Sequence, residues 1–422
     1  MRKLKLFASS VAVLSSLALV GCGGGTTPST NPGGSTNTPS GETVKLTVWG
    51  PSEQTDLLKD MVSRFKAANP GTNYDITVNV CSEADAYANL KPDVARGADV
   101  YAFANDQLIN LIRIGALAKV GGTNLDAVYD NNTPESVSTA EFNGDVYAYP
   151  YAADNGYFMY YNKAVLGTTT ERLDDILDLL NSKNKKFLFE ITNAWYNAGF
   201  FFATGCNYNV EYNANGTEKS IDCDFDSANG VIAGKAMVKL ANHPAFMTGN
   251  DNNIKAGFVD GSIAAAVTGT WNASAIEQAL GSDYAAVKLP KFTVDGTDYQ
   301  LKSFAGFKLM GVNPNSKHLV EAHKLAGFLT GEDMQKLRLE EKSVIPSNVN
   351  AYDANKINSN IALKALEEQK AFSVPQTSVP EKFWDALGAF GTEVNAKTVT
   401  DGNVLESLEV VVQLIKSISS AS

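Results

Sequence analysis

Apolar positions between residues 44 and 103 alternate between the two periods of regular structure. Val44 to Trp49, VKLTVW, is a short apolar run that stops at Gly50-Pro51, as a buried strand would. Leu57, Leu58, Met61, Val62 and Phe65 then recur at helical spacing until Asn69-Pro70-Gly71 breaks the pattern. Ile76, Val78 and Val80 alternate as a second strand, Tyr87, Leu90 and Val94 fit a helix, and Ala98 to Phe103 is a third strand. This β-α-β-α-β order predicts a parallel sheet with helices on both faces. Ligands of such sheets sit beyond the carboxyl ends of the strands, where this chain carries Glu53 and Gln54 after strand one and Asn105, Asp106 and Gln107 after strand three. A helix cap is an equally good reading of Asp106.

The stretch Asn143 to Lys163, NGDVYAYPYAADNGYFMYYNK, reads as an aromatic strand through Val146, Tyr147, Tyr149 and Tyr151. A small polar break at residues 152–156 and a second strand from Tyr157 to Tyr161 follow. It is either one lobe handing over to another or a corner within one sheet. Beyond it the alternation of helix and strand resumes. Leu173, Ile176, Leu177 and Leu180 share a helical face, Phe187 to Ile191 is a strand running into Asn193 and Trp195, and Val231 to Leu240 is a helix. Ile263 to Val267 is a strand of small residues that leads directly to Trp271. Phe304 to Val312, FAGFKLMGV, is one more strand and the return crossing. Helices over 318–330, 332–341, 361–371, 379–390 and 404–418 close the chain.

A length of 422 residues exceeds what one core supports, so two lobes are expected. The N-terminus has Arg2, Lys3 and Lys5, an apolar stretch from Leu6 to Val20 too short to span a membrane, and Cys22 after Gly21. This pattern resembles a bacterial lipoprotein signal over residues 1–21, with Cys22 lipidated. Residues 22–42, nearly all Gly, Thr, Pro, Ser and Asn, then form a flexible tether. Removing three signal-peptide cations takes the formal charge from −11 to −11 − 3 = −14. Such acidity argues against nucleic acid and anionic lipid surfaces as partners, so contact with the membrane is expected through the N-terminal lipid alone. Cys206 and Cys223 flank an Asn-rich turn, and either a disulfide between them or two free thiols fits. Three scattered histidines, with no CxxC or HExxH, predict no metal site, and no cofactor is expected.

Three of the four tryptophans, Trp49, Trp195 and Trp271, sit just at or after strand ends, and Trp384 follows the Pro-rich stretch 374–380. Placement at strand ends suits a cleft better than a core. A pyranose stacks its C–H face on an aromatic ring while Asp, Glu, Asn and Gln read its hydroxyls.

Taken in order, KLTVWGPSEQ, ADVYAFANDQLINLIRIGALAKV, the Asn143 to Lys163 stretch, AAVTGTWNAS and PQTSVPEKFW resemble the maltose/maltodextrin-binding family, extracellular solute-binding lipoproteins of ABC importers. The resemblance implies a periplasmic-binding-protein-like α/β fold with a ligand cleft between two lobes. The first lobe is 43–152 plus 309–355, the second 157–303 plus 360–422, and the hinges are 153–156, 304–308 and 356–359. It further implies a monomer, lipid-anchored on the outer face of the cell membrane, that binds a maltodextrin-like oligosaccharide and docks on ABC importer permease subunits. Carried over by position, the ligand-binding residues are Glu53, Gln54, Phe103, Asp106, Gln107, Asp154 on the hinge, Asn193, Trp195, Trp271 and Trp384. Gln54 stands where the family often has Lys, Gln107 where it has Arg, Asn193 where it has Glu, and Phe103 where it has Trp. Charge-assisted hydrogen bonds thus give way to neutral ones while the stacking rings stay, which supports an oligosaccharide, maltose or maltodextrin first, more firmly than maltose in particular, with preference shifted along the α-glucan series or to another glycan. The alternatives are another glycan or small solute, or a surface glycan-active enzyme using two of Glu53, Asp106 and Asp154.

Overall fold

The computed structural model describes residues 42–417. The signal segment, Cys22 and almost all of the tether lie outside them. Three strands open the fold, β1 (Val44–Gly50), β2 (Tyr74–Val80) and β3 (Val100–Ala104), with β1 parallel to both others. Between β1 and β2 the helix Thr55–Ala68 buries Leu57, Leu58, Met61, Val62 and Phe65 on one stripe. The helix expected from Tyr87 to Val94 is cut in two, Ala86–Leu90 and a 3₁₀ turn Val94–Arg96, because Pro92 has no backbone N–H with which to continue the helical bonding.

The aromatic stretch begins with a tight hairpin of β4 (Glu141–Phe142) and β5 (Asp145–Val146). Asn143 and Gly144 both take positive φ at its tip, the conformation that an Asn-Gly pair supplies. Next comes β6 (Ala148–Gly156), and β7 (Phe158–Asn162) follows after Tyr157 alone. The polar break expected at 152–156 is therefore unbroken strand. Its backbone groups pair with a later partner, which outweighs the weak strand preference of Ala, Asp and Gly.

The remaining strands are β8 (Lys186–Leu188), a hairpin of β9 (Tyr208–Tyr212) and β10 (Glu218–Cys223), β11 (Phe246–Met247), β12 (Ile263–Thr268) and β13 (Tyr284–Val287). After them come a hairpin of β14 (Lys291–Val294) and β15 (Thr297–Gln300), then β16 (Ser303–Val312) and β17 (Ser373–Pro375). They form two main sheets. One has the order β17-β16-β3-β1-β2 with β6 also on β16; the other has the order β11-β8-β12-β7-β13. Since β6 belongs to the first sheet and β7 to the second, the chain passes between lobes at Tyr157. It passes back along β16, whose Phe304 packs in the second lobe's core and whose Leu309 packs in the first's. Residues 356–359 are helical, and Ser373–Pro375 adds a further pass along β16 that the sequence pattern does not announce.

Each lobe has its own core. One gathers Leu46, Val48, Phe65, Tyr101, Phe103 and Tyr149 with Leu325 and Leu329; the other gathers Tyr157, Phe187, Phe200, Phe201 and Phe225 with Phe390 and Leu408. The fold is thus two α/β lobes joined by crossing strands. Among the described residues no helix is long and apolar enough to cross a membrane.

Candidate functional site

A cavity of about 870 Å3 opens where the two lobes face each other. The first lobe lines it from the turn after β1, the Ser82–Asp85 loop and the turn after β3; the second lines it from the Ala194–Ala203 and Asp251–Asp260 helices, Trp271 and Trp384. A second chamber of about 570 Å3 adjoins it and shares Glu53, Lys255, Trp271 and Lys308 with it.

The tryptophans are held in place by hydrogen bonds. Trp195 Nε1 donates to Gln376 Oε1 at 3.0 Å, and Trp271 Nε1 donates to Asp251 Oδ2 at 2.9 Å. The two rings lie 6.0 Å apart at 45°. Gly269 leaves the space that the Trp271 indole fills, since a Cβ there would come within 2.0 Å of Trp271 Cζ3. Asp251 also accepts from Thr268 Oγ1 and Asn272 Nδ2, so one carboxylate ties β12 to the turn that carries Trp271. Trp384 packs edge-on against Phe304 and Phe383 and reaches the cavity from the Glu381–Asn395 helix. Asn193 caps the Ala194–Ala203 helix by accepting from Trp195 N at 3.0 Å, which places the indole at the helix start.

Among the polar residues, Glu53 and Asp106 line the cavity with their neighbours. Burial, reinforced by Glu83, raises the Glu53 carboxyl above its ordinary pKa. Burial pushes Asp106 up to about 7, against the pull of the hydrogen bond it accepts from Gln376 Nε2 at 2.6 Å. Gln107 borders the cavity, but its amide is committed to protein partners, accepting from Tyr87 N and donating to the Glu83 carbonyl.

Two residues expected in the cleft lie elsewhere, and a third faces only its smaller chamber. Phe103 is 0% exposed in the first lobe's core, because all five residues of β3 are buried and strand alternation aims this ring inward. Gln54 faces only the smaller chamber and accepts from Arg338 Nε. Asp154, 1% exposed, is behind the cavity wall: it pairs with Lys308 at 3.2 Å and accepts from Thr270 Oγ1 at 3.0 Å, while the next residue, Asn155, meets the cavity. The disulfide considered for Cys206 and Cys223 is absent. Both are buried free thiols, and the hairpin register sets Cys223 opposite Tyr208 rather than opposite Cys206. Among the described residues no cluster of His, Cys, Asp or Glu could hold a metal ion.

Sequence reasoning missed four contributors. Gln376, 3% exposed, joins Asp106, Trp195 and Asn155, so it touches both lobes and a crossing strand. Asp251 anchors Trp271. Glu190 lines the cavity with its carboxyl pushed up to about 7 by burial and by Asp251. Lys308 lines both chambers. Only Lys308 left a signal, as the single charge inside the apolar run FAGFKLMGV.

The family described as bacterial extracellular solute-binding proteins matches residues 60–365. A galactooligosaccharide-binding protein of Bacillus subtilis is 26% identical over 90% of this chain and 89% of its own length. A maltooligosaccharide ABC transporter solute-binding lipoprotein of Streptococcus pneumoniae is 26% identical over 95% of this chain and 96% of its own. A solved structure with acarbose is 32% identical, covers 89% of this chain and 99% of that one, and superposes with a TM-score of 0.79.

Proposed function

We propose, from the premise that this chain belongs to the bacterial extracellular solute-binding proteins, that it captures an oligosaccharide and hands it to the permease subunits of an ABC importer. The observation that carries the reading is the convergence of Trp195, Trp271 and Trp384 with Glu53, Asp106 and Asn193 on one cavity between two lobes. Aromatic faces with polar groups between them are what a stacked, hydroxyl-rich ligand needs. A maltodextrin-type α-glucan is the first candidate, in line with the pneumococcal relative, and a galactooligosaccharide the second, in line with the Bacillus one.

On this reading the lobes, residues 43–152 with 309–355 and 157–303 with 360–422, close about 153–156, 304–308 and 356–359. A ligand that contacts both lobes only in the closed state shifts the population by its differential affinity. The protein binds and releases its solute without transforming it. It works as a monomer held at the outer membrane face by a lipid on Cys22.

Titration with maltose through maltoheptaose, and in parallel with galactooligosaccharides, tests this through tryptophan fluorescence. Saturable quenching or enhancement by one series is expected, weakened at least tenfold by Trp271→Ala and by Trp384→Ala. No response to either series, or unchanged affinity in both variants, would overturn the assignment.

A further inference from the structure

Lys308 stands at the meeting point of the two chambers, shares their lining with Trp271, and is 4% exposed. It is carried by β16 at a place where pairing with β6 slips twice, between Gly306 and Lys308 and again between Lys308 and Leu309. Such irregularities re-aim side chains in a sheet, and here the ammonium is turned into the cleft. Its Nζ lies 3.2 Å from Asp154 Oδ1 and 5.6 Å from the centre of a Trp271 ring. Burial works against its charge, but Asp154, then Glu83 and Glu53, outweigh that and hold it protonated above the ordinary lysine value.

An ammonium has three N–H donors, and a buried one is costly unless they are used. Asp154 can take one, and its other oxygen is already committed to Thr270. Gln54 and Gln107, the neutral residues nearest in role, are committed to Arg338, Tyr87 and Glu83. The cleft therefore keeps a cation with spare donors beside an aromatic ring, and a polyhydroxyl ligand supplies both an apolar face and oxygen acceptors.

We infer that Lys308 is a ligand-contacting residue: its ammonium donates to a saccharide hydroxyl or ring oxygen at the junction of the chambers, and Asp154 acts on the ligand only through it. This rests on the proposed function and names a determinant of specificity within that site.

The test uses calorimetric titration of the protein with the same malto- and galactooligosaccharide series, alongside thermal melts without sugar. Lys308→Met alone strands the Asp154 carboxylate, so it is paired with Lys308→Met/Asp154→Asn, which removes both charges and is expected to melt near the wild type. In the double variant, affinity for the bound series should stay about 10- to 100-fold weaker, the loss of one hydrogen bond to a charged donor. Recovery of affinity to within threefold of wild type, together with recovered melting, would make Lys308 structural only and overturn the inference while leaving the function intact. A wild-type protein that binds neither series would overturn the function and the inference together.

Discussion

Gln376→Leu keeps the volume of the side chain and removes its polar head. That head donates to Asp106 Oδ1 at 2.6 Å and accepts from Trp195 Nε1 at 3.0 Å and Asn155 Nδ2 at 3.1 Å. The bond to Asp106, whose burial raises its pKa to about 7, contributes about 0.5–1.5 kcal/mol while that carboxyl is neutral and about 1.5–3 kcal/mol once it is charged. Trp195 and Asp106 face the cavity, so water replaces part of what they lose. Asn155 is only 8% exposed, and its amide keeps the cost of an unmet donor, about 1–3 kcal/mol. The net loss should be about 2–4 kcal/mol in the sugar-free protein, read by differential scanning calorimetry. Pairing the substitution with Trp195→Phe, which removes only the indole donor and some ring area, completes a double-mutant cycle. A coupling energy of about 0.5–1.5 kcal/mol is expected, because groups sharing one network are not additive. A loss below about 0.5 kcal/mol with no coupling would refute the view that Gln376 ties the two lobes at the cleft floor.

Stability should depend on pH in the direction opposite to that of most carboxylates. Asp106, near 3.8 when unfolded and about 7 when folded, keeps a proton that the unfolded chain has released between those values, and Glu190 behaves alike. Stability therefore falls as pH rises from about 4 to about 7 and levels off above; Asp106→Asn should flatten the slope, and an unchanged slope in melts across that range would contradict the assignment. The thiols of Cys81, Cys206 and Cys223 are buried, and burial raises all three, to about 11 for Cys81 and about 12 for Cys223. They should resist a thiol reagent at pH 8 until the protein is denatured and then all react; two unreactive after denaturation would reveal a disulfide.

The sequence pattern sufficed where one face of an element is buried and the other is not. The helix with Leu57, Leu58, Met61, Val62 and Phe65 on one stripe, and a parallel sheet that includes β1 and β2, follow from periodicity and element order, while the register between the strands does not. Trp195, Trp271 and Trp384 were legible as cleft residues because they follow element ends and loops, where a side chain has open space ahead of it. Periodicity is silent where everything is buried. All five residues of β3 are inside, so nothing in the pattern says that Phe103 faces the core. Asp154 carries the residue type of a ligand, yet which side of β6 meets the cavity depends on pairing with β16 some 150 residues later, where Lys308 takes the outward place. Gln376 is ordinary in sequence and becomes a hub only when the stretch after β17 lies against β16.

The place of β16 also sets a timetable for folding. Val312 pairs with Val100 and Met310 with Tyr149, so the first lobe's sheet waits for a strand made long after its neighbours. Contacts so distant in sequence are slow to form, since loop-closure entropy is lost before they reward it. A nascent chain shorter than about 312 residues holds β1, β2 and β3 with one edge uncovered. The second lobe waits longer still, because Phe383, Leu387, Phe390 and Leu408 of its core come from the last helices. The first lobe can therefore close its core once Val344 has been made, whereas the second lobe cannot close its own until the last helices are present.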